Sequence, residues 1–161
     1  MPIVQHSRLP TFERLRETGH EVLTLERAVH QDIRELHIGF LNMMPDAALL
    51  VTEKQYMRLI GACNRITQIY VYPFSVPGLA RSPDALAHIG AYYADFDQLK
   101  ASGLDALIIS GANVTNPSLD LEPFWGPLQD VIECAATSTE ETCSLRAVDT
   151  DNDCATGPES P

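Results

Sequence analysis

The sequence predicts an open α/β fold built on a parallel sheet. Residues 36–42, 66–72 and 107–109 form short apolar runs bounded by turn chemistry, the pattern of strands buried on both faces. Stretches with helical spacing of apolar residues accompany them, at 46–60, 84–99 and 122–134. The order, strand then helix three times over, makes the helices crossovers that join parallel neighbours and cover the sheet.

The first 34 residues are polar and mixed. Residues 12–16 suit a short helix, and His30-Gln31-Asp32-Ile33-Arg34 a lead-in loop. Leu36-His37-Ile38-Gly39-Phe40-Leu41-Asn42 then forms the first strand. After Pro45 a helix starts, with Asp46 as its cap, Leu49, Tyr56, Leu59 and Ile60 as its apolar face, and Gly61 at a left-handed end. The strand at 66–72 is rich in β-branched and aromatic residues and stops at Pro73. Beyond a Pro/Gly/Ser connection, Asp84 caps one helix carrying Leu86, Ile89, Tyr93, Phe96 and Leu99 on one side, and Gly103 closes it. Leu107-Ile108-Ile109 is the third strand; Phe124, Trp125, Leu128, Val131 and Ile132 anchor the last helix. Ligands of such sheets gather at the carboxyl ends of the strands. Here those ends are Asn42-Met43-Met44-Pro45 and Ser110-Gly111-Ala112-Asn113.

The 161 residues suit one domain, and 45% hydrophobic residues exclude global disorder. With 11 Lys+Arg against 22 Asp+Glu, the formal charge of −11 argues against a nucleic-acid surface, which needs a basic stripe. No run approaches the roughly 20 apolar residues of a membrane span, and the first 27 residues show no signal-peptide core. Cys63, Cys134, Cys143 and Cys154 have no CxxC spacing and no paired histidines, so no metal site is expected. Widely spaced thiols fit a reducing cytoplasm.

Residues 137–161 break the pattern. Glu140, Glu141, Asp149, Asp151, Asp153 and Glu159 face one basic residue, Arg146, and only Leu145 and Val148 are sizeable apolar residues. The expected division is a lead-in segment at 1–35, a partial α/β domain at 36–136, and a disordered acidic tail at 137–161.

Four segments carry a resemblance: His30-Gln31-Asp32-Ile33-Arg34, Ile38-Gly39-Phe40-Leu41-Asn42-Met43-Met44-Pro45, Leu107-Ile108-Ile109-Ser110-Gly111-Ala112-Asn113 and Glu122-Pro123-Phe124-Trp125. In order and spacing they resemble the N-terminal half of the homoserine O-acyltransferases, the methionine-biosynthesis branch called homoserine O-succinyltransferases. The likeness runs from about residue 24 to about residue 139. It implies a class I glutamine-amidotransferase-like fold with flavodoxin-like layering, incomplete here, in a cytoplasmic homodimer. It further implies transfer of an acyl group from succinyl-CoA or acetyl-CoA to the hydroxyl of L-homoserine. Acyl-CoA is then a substrate, and no cofactor is expected.

The family works through a thioester on a cysteine, assisted by a His and a Glu. A thiolate suits this step, and backbone N–H groups at a helix start can stabilise the oxyanion. By its distance from Thr137-Ser138-Thr139, Cys143 holds the nucleophile position. Its neighbours Glu140-Glu141-Thr142 replace an apolar strand end, and carboxylates there raise a thiol's pKa. The family's His and Glu belong to a C-terminal half that is absent here, so a truncated, inactive form is expected, as from a frameshift or premature stop.

The resemblance puts Asn42, Met44, Gly111, Ala112, Asn113 and Thr115 around the substrate pocket. Thr115 falls where succinyl-using members tend to carry Gly and acetyl-using members Glu, so it matches neither donor. Asn42-Met43-Met44-Pro45 and Gly111-Ala112-Asn113 also have a plain role as strand-to-helix turns, Gly111 supplying an unusual backbone angle. Cys63 and Cys134, at helix ends, read as packing residues. His37 reads as a structural histidine, and neither His30 nor His88 is assigned a catalytic role. The acceptor, homoserine or serine, stays open. The rival to a transferase is a non-catalytic interaction module, since a partial domain leaves a sheet edge and apolar faces uncovered.

Overall fold

A computed structural model describes residues 3–63 and 67–138. Cys143, and with it the tail from 139 onward that was expected to be disordered, lies outside the described residues.

Five parallel strands form one sheet: β1 (Ile3–Gln5), β2 (Val22–Thr24), β3 (Glu35–Leu41), β4 (Gln68–Phe74) and β5 (Ala106–Ile109), in the order β2-β1-β4-β3-β5. The three strands expected from the sequence make its central and outer part. The lead-in segment, expected to stand outside the sheet, supplies two further strands and two helices, α1 (Pro10–Glu17) and α2 (Leu25–Val29). Ile3 pairs with Ile69, which puts the N-terminal strand directly against β4.

Alternation along the strands divides the core between the two faces. Ile38, Phe40, Ile69 and Val71 point to one face, where they meet Phe12 and Leu15 of α1 and Met57 and Ile60 of α3 (Asp46–Cys63). Leu41 and Phe74 point to the other, packing on Leu99, Phe124, Leu128 and Val131.

The single helix expected at 84–99 is two. Helix α4 (Pro83–Tyr92) lies on the α1/α3 face, with Tyr92 and Tyr93 against that cluster. Helix α5 (Phe96–Ser102) lies on the opposite face, with Leu99 buried and Phe96 stacked on Phe74 at 5.3 Å. Residues 93–95 therefore carry the chain from one face to the other. They do so past β4 at Pro73, whose carbonyl accepts the Ala94 N–H at 2.8 Å.

The same bond explains why β4 runs through Pro73 instead of stopping there. The Phe74 carbonyl accepts from Asn42 in the β3 direction, so alternation turns Pro73 the other way, where β1 no longer pairs. Its missing N–H costs no ladder bond.

Several expected helix ends shift. Helix α3 continues through Gly61 to Cys63, so Gly61 is no left-handed terminus. Ser82, not Asp84, caps α4, its hydroxyl accepting the Ala85 N–H at 3.3 Å with Pro83 next in line. Gly103 does end α5, at φ +78°. Helix α6 (Trp125–Ser138) starts later and runs further than expected, after a 3₁₀ turn at Leu119–Leu121. Leu59, Leu86 and Ile132, expected on apolar faces, are exposed, whereas Met57 is buried.

Candidate functional site

The carboxyl ends of β3 and β5 flank a point where connections diverge, since the chain leaving β3 runs into α3 on one face of the sheet and the chain leaving β5 runs on to α6 on the other. A side-chain hydrogen bond joins the two ends: the Met43 N–H donates to Ser110 Oγ at 2.8 Å. Ser110 is buried and its own N–H continues the ladder to the Leu41 carbonyl at 2.9 Å. The two segments singled out in the sequence are thus one structural unit.

Asn42 is fully buried, and its side chain is committed within the protein. The amide nitrogen donates to the Leu49 carbonyl at 3.1 Å and to Tyr93 Oη at 3.0 Å; Oδ1 accepts the Met44 N–H at 3.3 Å. Met44 is half-buried, and Gly111 has only Met44 Sδ, at 4.0 Å, near where its Cβ would be. Gly111, Asn113 and Thr115 are exposed and Ala112 is half-buried. The residues with surface to offer a ligand are therefore Met44 and the 111–115 stretch, with Asn42 beneath them.

Thr115 is tied down by Glu122, a buried residue of the Glu122-Pro123-Phe124-Trp125 motif. The Glu122 carboxylate accepts the Thr115 N–H at 2.6 Å, the Asn116 N–H at 2.7 Å and the Thr115 hydroxyl at 3.3 Å. The Asn116 backbone bond, followed by that from Thr115, holds this carboxyl below its ordinary range.

Arg81 is the other clamp, and nothing in the motif pattern marks it. Its guanidinium donates to the Met44 carbonyl, to the Asn42 carbonyl at 3.0 Å and to Asp46 Oδ1 at 3.3 Å. Asp46, expected to cap α3, instead opens it and bridges to the start of α4, accepting the Ser82 N–H at 2.6 Å. That backbone bond lowers its pKa, with Arg81 adding.

Between α1 and α4 lies a carboxylate that sequence reading passed over. Glu53 is fully buried; Thr11 Oγ1 donates to it and His88 Nε2 lies 3.2 Å away. His88, without a partner in sequence, finds one here. His37 is structural, as expected: its Nδ1 lies 2.9 Å from Tyr72 Oη and its ring stacks on Tyr70. Cys134 is half-buried, whereas Cys63, expected to pack, is exposed.

An open hollow of about 690 Å³ lies elsewhere, between residues 75–77, α5 and α6, lined by Asp95, Asp97, Lys100 and Asp130. None of the sequence-predicted site residues that the structure describes lines it. Among the described residues no group of His, Cys, Asp and Glu could hold a metal ion, and no helix is long and apolar enough to cross a membrane.

A family model described as homoserine O-succinyltransferase matches residues 2–146. Proteins of that name from Allochromatium vinosum and Methylobacter tundripaludum are 60% and 59% identical to the chain over 148 residues. One from Thioalkalivibrio nitratireducens is 57% identical over 146. The first two alignments cover 91% of this chain but 42% of each relative, so the chain spans less than half the length of the relatives it matches. With the strand-end unit built from the same motifs, the match over nearly the whole chain shows that it belongs to the homoserine O-succinyltransferase family.

Proposed function

We propose that this chain forms the N-terminal part of a homoserine O-succinyltransferase, with Met44, Gly111, Ala112, Asn113 and Thr115 as one wall of its substrate pocket and Asn42 supporting them. The observation that carries this reading is the Met43–Ser110 bond, which fuses the two motif-bearing strand ends at the divergence point of the sheet. In the whole enzyme a cysteine thiolate attacks succinyl-CoA, the thioester C–S bond breaks and CoA leaves. The homoserine hydroxyl then attacks the enzyme thioester and releases the cysteine, losing its proton to a base. Acyl-CoA enters as substrate, and no resident cofactor is part of the scheme. Cys143 stands as the candidate nucleophile, outside the described residues. Homodimerisation, a cytoplasmic location and a role in methionine biosynthesis belong to the same proposal, and acetyl-CoA is the alternative donor.

Two assays test it. The chain by itself releases no CoA from succinyl-CoA and homoserine above a Cys143→Ala control, because nucleophile, base and orienting acid do not come from one cysteine. Residues 2–138 exchanged for the matching segment of the Allochromatium vinosum relative keep succinyl transfer. A folded but inactive chimera overturns the proposal.

A second reading rests on the outer edge of β5, which has no partner strand among the described residues, and on exposed Val114 and Leu121 beyond it. These features suit an interaction module. Sedimentation separates the two: a compact, monodisperse species favours the module, aggregates a severed enzyme.

A further inference from the structure

A chain leaving a sheet carries carbonyls past their last ladder partner, and a buried one must find a donor elsewhere. Asn42 stands at that point, since Leu41 is the last residue of β3 paired to β4 and β5. The Asn42 N–H still reaches the Phe74 carbonyl at 3.0 Å, but its own carbonyl, in a fully buried residue, lies beyond the pairing. Arg81 supplies the donor. Nη2 of its guanidinium donates to this carbonyl at 3.0 Å, and Nη1 donates to the carbonyl of Met44. A guanidinium is a rigid planar fork, so the two bonds together set the spacing of carbonyls two residues apart. The backbone of Met43 and Met44 lies between them. The fork is held in turn by Asp46, whose Oδ1 lies 3.3 Å from Nη1 and whose Oδ2 accepts the N–H of Ser82, the cap of α4, at 2.6 Å. With 4% of its side chain exposed, Arg81 has almost no surface to offer a ligand.

We propose that Arg81 is the positioning residue for the turn Asn42-Met43-Met44-Pro45: its fork sets Met44 against Gly111 on the pocket wall without itself touching substrate. The functional meaning rests on the transferase proposal. Met44 Sδ lies 4.0 Å from where a Cβ on Gly111 would stand. The Met43 N–H, within the stretch that the fork orients, is the one bound to Ser110, directly before Gly111.

NMR of the full chain with labelled methionine methyl groups, without substrate, tests the idea. The wild type shows a nuclear Overhauser contact between the Met44 methyl and the Gly111 backbone. Met57, buried in the core on α3, is the internal control. Arg81→Leu removes the fork: the Met44–Gly111 contact disappears and the Met44 methyl shifts towards its position in the urea-unfolded chain. Met57 keeps its shift and its core contacts. Arg81→Lys keeps the charge without the fork, and the Met44–Gly111 contact falls by about half or more. If Arg81→Leu does not fold, Arg81→Lys decides. A Met44–Gly111 contact missing from the wild type, or undiminished in either folded variant, overturns the proposal. So does equal disturbance of Met57, or failure of both variants to fold, since either marks a residue that serves the fold alone. Because no turnover is read, failure here leaves the chimera assay standing, and failure of the chimera leaves this result standing.

Discussion

Arg81 and Asn42 belong to different strand-to-helix connections, and the guanidinium of the first donates to the backbone carbonyl of the second at 3.0 Å. With only 4% of its side chain exposed, Arg81 acts as a buried cation shared between two carbonyls and the Asp46 carboxylate. Arg81→Met leaves those acceptors without their donor and costs about 2–4 kcal/mol in urea unfolding. Arg81→Lys recovers only part of this, because one ammonium cannot match the guanidinium fork.

Two glycines differ in what a methyl group would meet. At Gly78, φ is +88° and a Cβ would lie 2.5 Å from the Pro123 carbonyl oxygen, so backbone must move. Gly78→Ala is expected to cost about 3 kcal/mol or more in thermal or urea unfolding. At Gly39 the nearest atom is Leu104 Cδ1, 2.7 Å away at the end of a flexible side chain. Gly39→Ala costs less, about 1–2 kcal/mol, since Leu104 can change rotamer.

His6 makes the fold sensitive to acid. Both its ring nitrogens are buried without a hydrogen-bond partner among the described residues, and the ring packs edge-on against Tyr72 at 4.4 Å. Burial first, and the charge of His37 second, lower its pKa from 6.5 to about 4. Between those values the unfolded chain binds a proton that the folded chain refuses. Stability therefore falls as pH drops through that window and levels off below it. The loss is at most about 3 kcal/mol, and less after solvent screening of a ring that is not wholly enclosed. In urea titrations across that range, His6→Phe removes this contribution, with a midpoint that declines less on acidification.

Glu122 holds the 115–116 backbone through its carboxylate, so Glu122→Ala frees that loop while the sheet stays intact. Limited proteolysis is expected to cut between residues 113 and 118 faster, with cutting elsewhere unchanged. The pKa of this carboxyl is lowered in the folded chain. Its support is therefore present above the ordinary carboxylate range and disappears as pH falls through the folded value.

How much of this was legible depended on length and pattern. Strands β3, β4 and β5 declared themselves through apolar runs, and their ends marked the candidate site. Strands β1 and β2 are three residues long and end in Gln5 and Thr24, too short and too polar for a period-2 signal. The break between α4 and α5 has neither Gly nor Pro at 93–95. Asp95 and Gln98 did carry a signal, a cap followed three residues later by Gln, and the Asp95 carboxylate does accept the Gln98 N–H at 3.1 Å. Arg81 and Glu53 matched no motif, because their partners are backbone carbonyls and side chains brought in by other elements. A buried charge of that kind shows only once the fold is closed.

The place of β1 between β2 and β4 also sets an order of events in time. β1 and β2 are near neighbours in sequence and can meet early, but their shared seat in the sheet depends on Ile69, which lies beyond the whole of α3. Closing so long a loop is entropically slow, and the contact forms only after β4 has been synthesised. During synthesis, residues 3–24 would thus wait, with Ile3 unburied, for the strand that receives them.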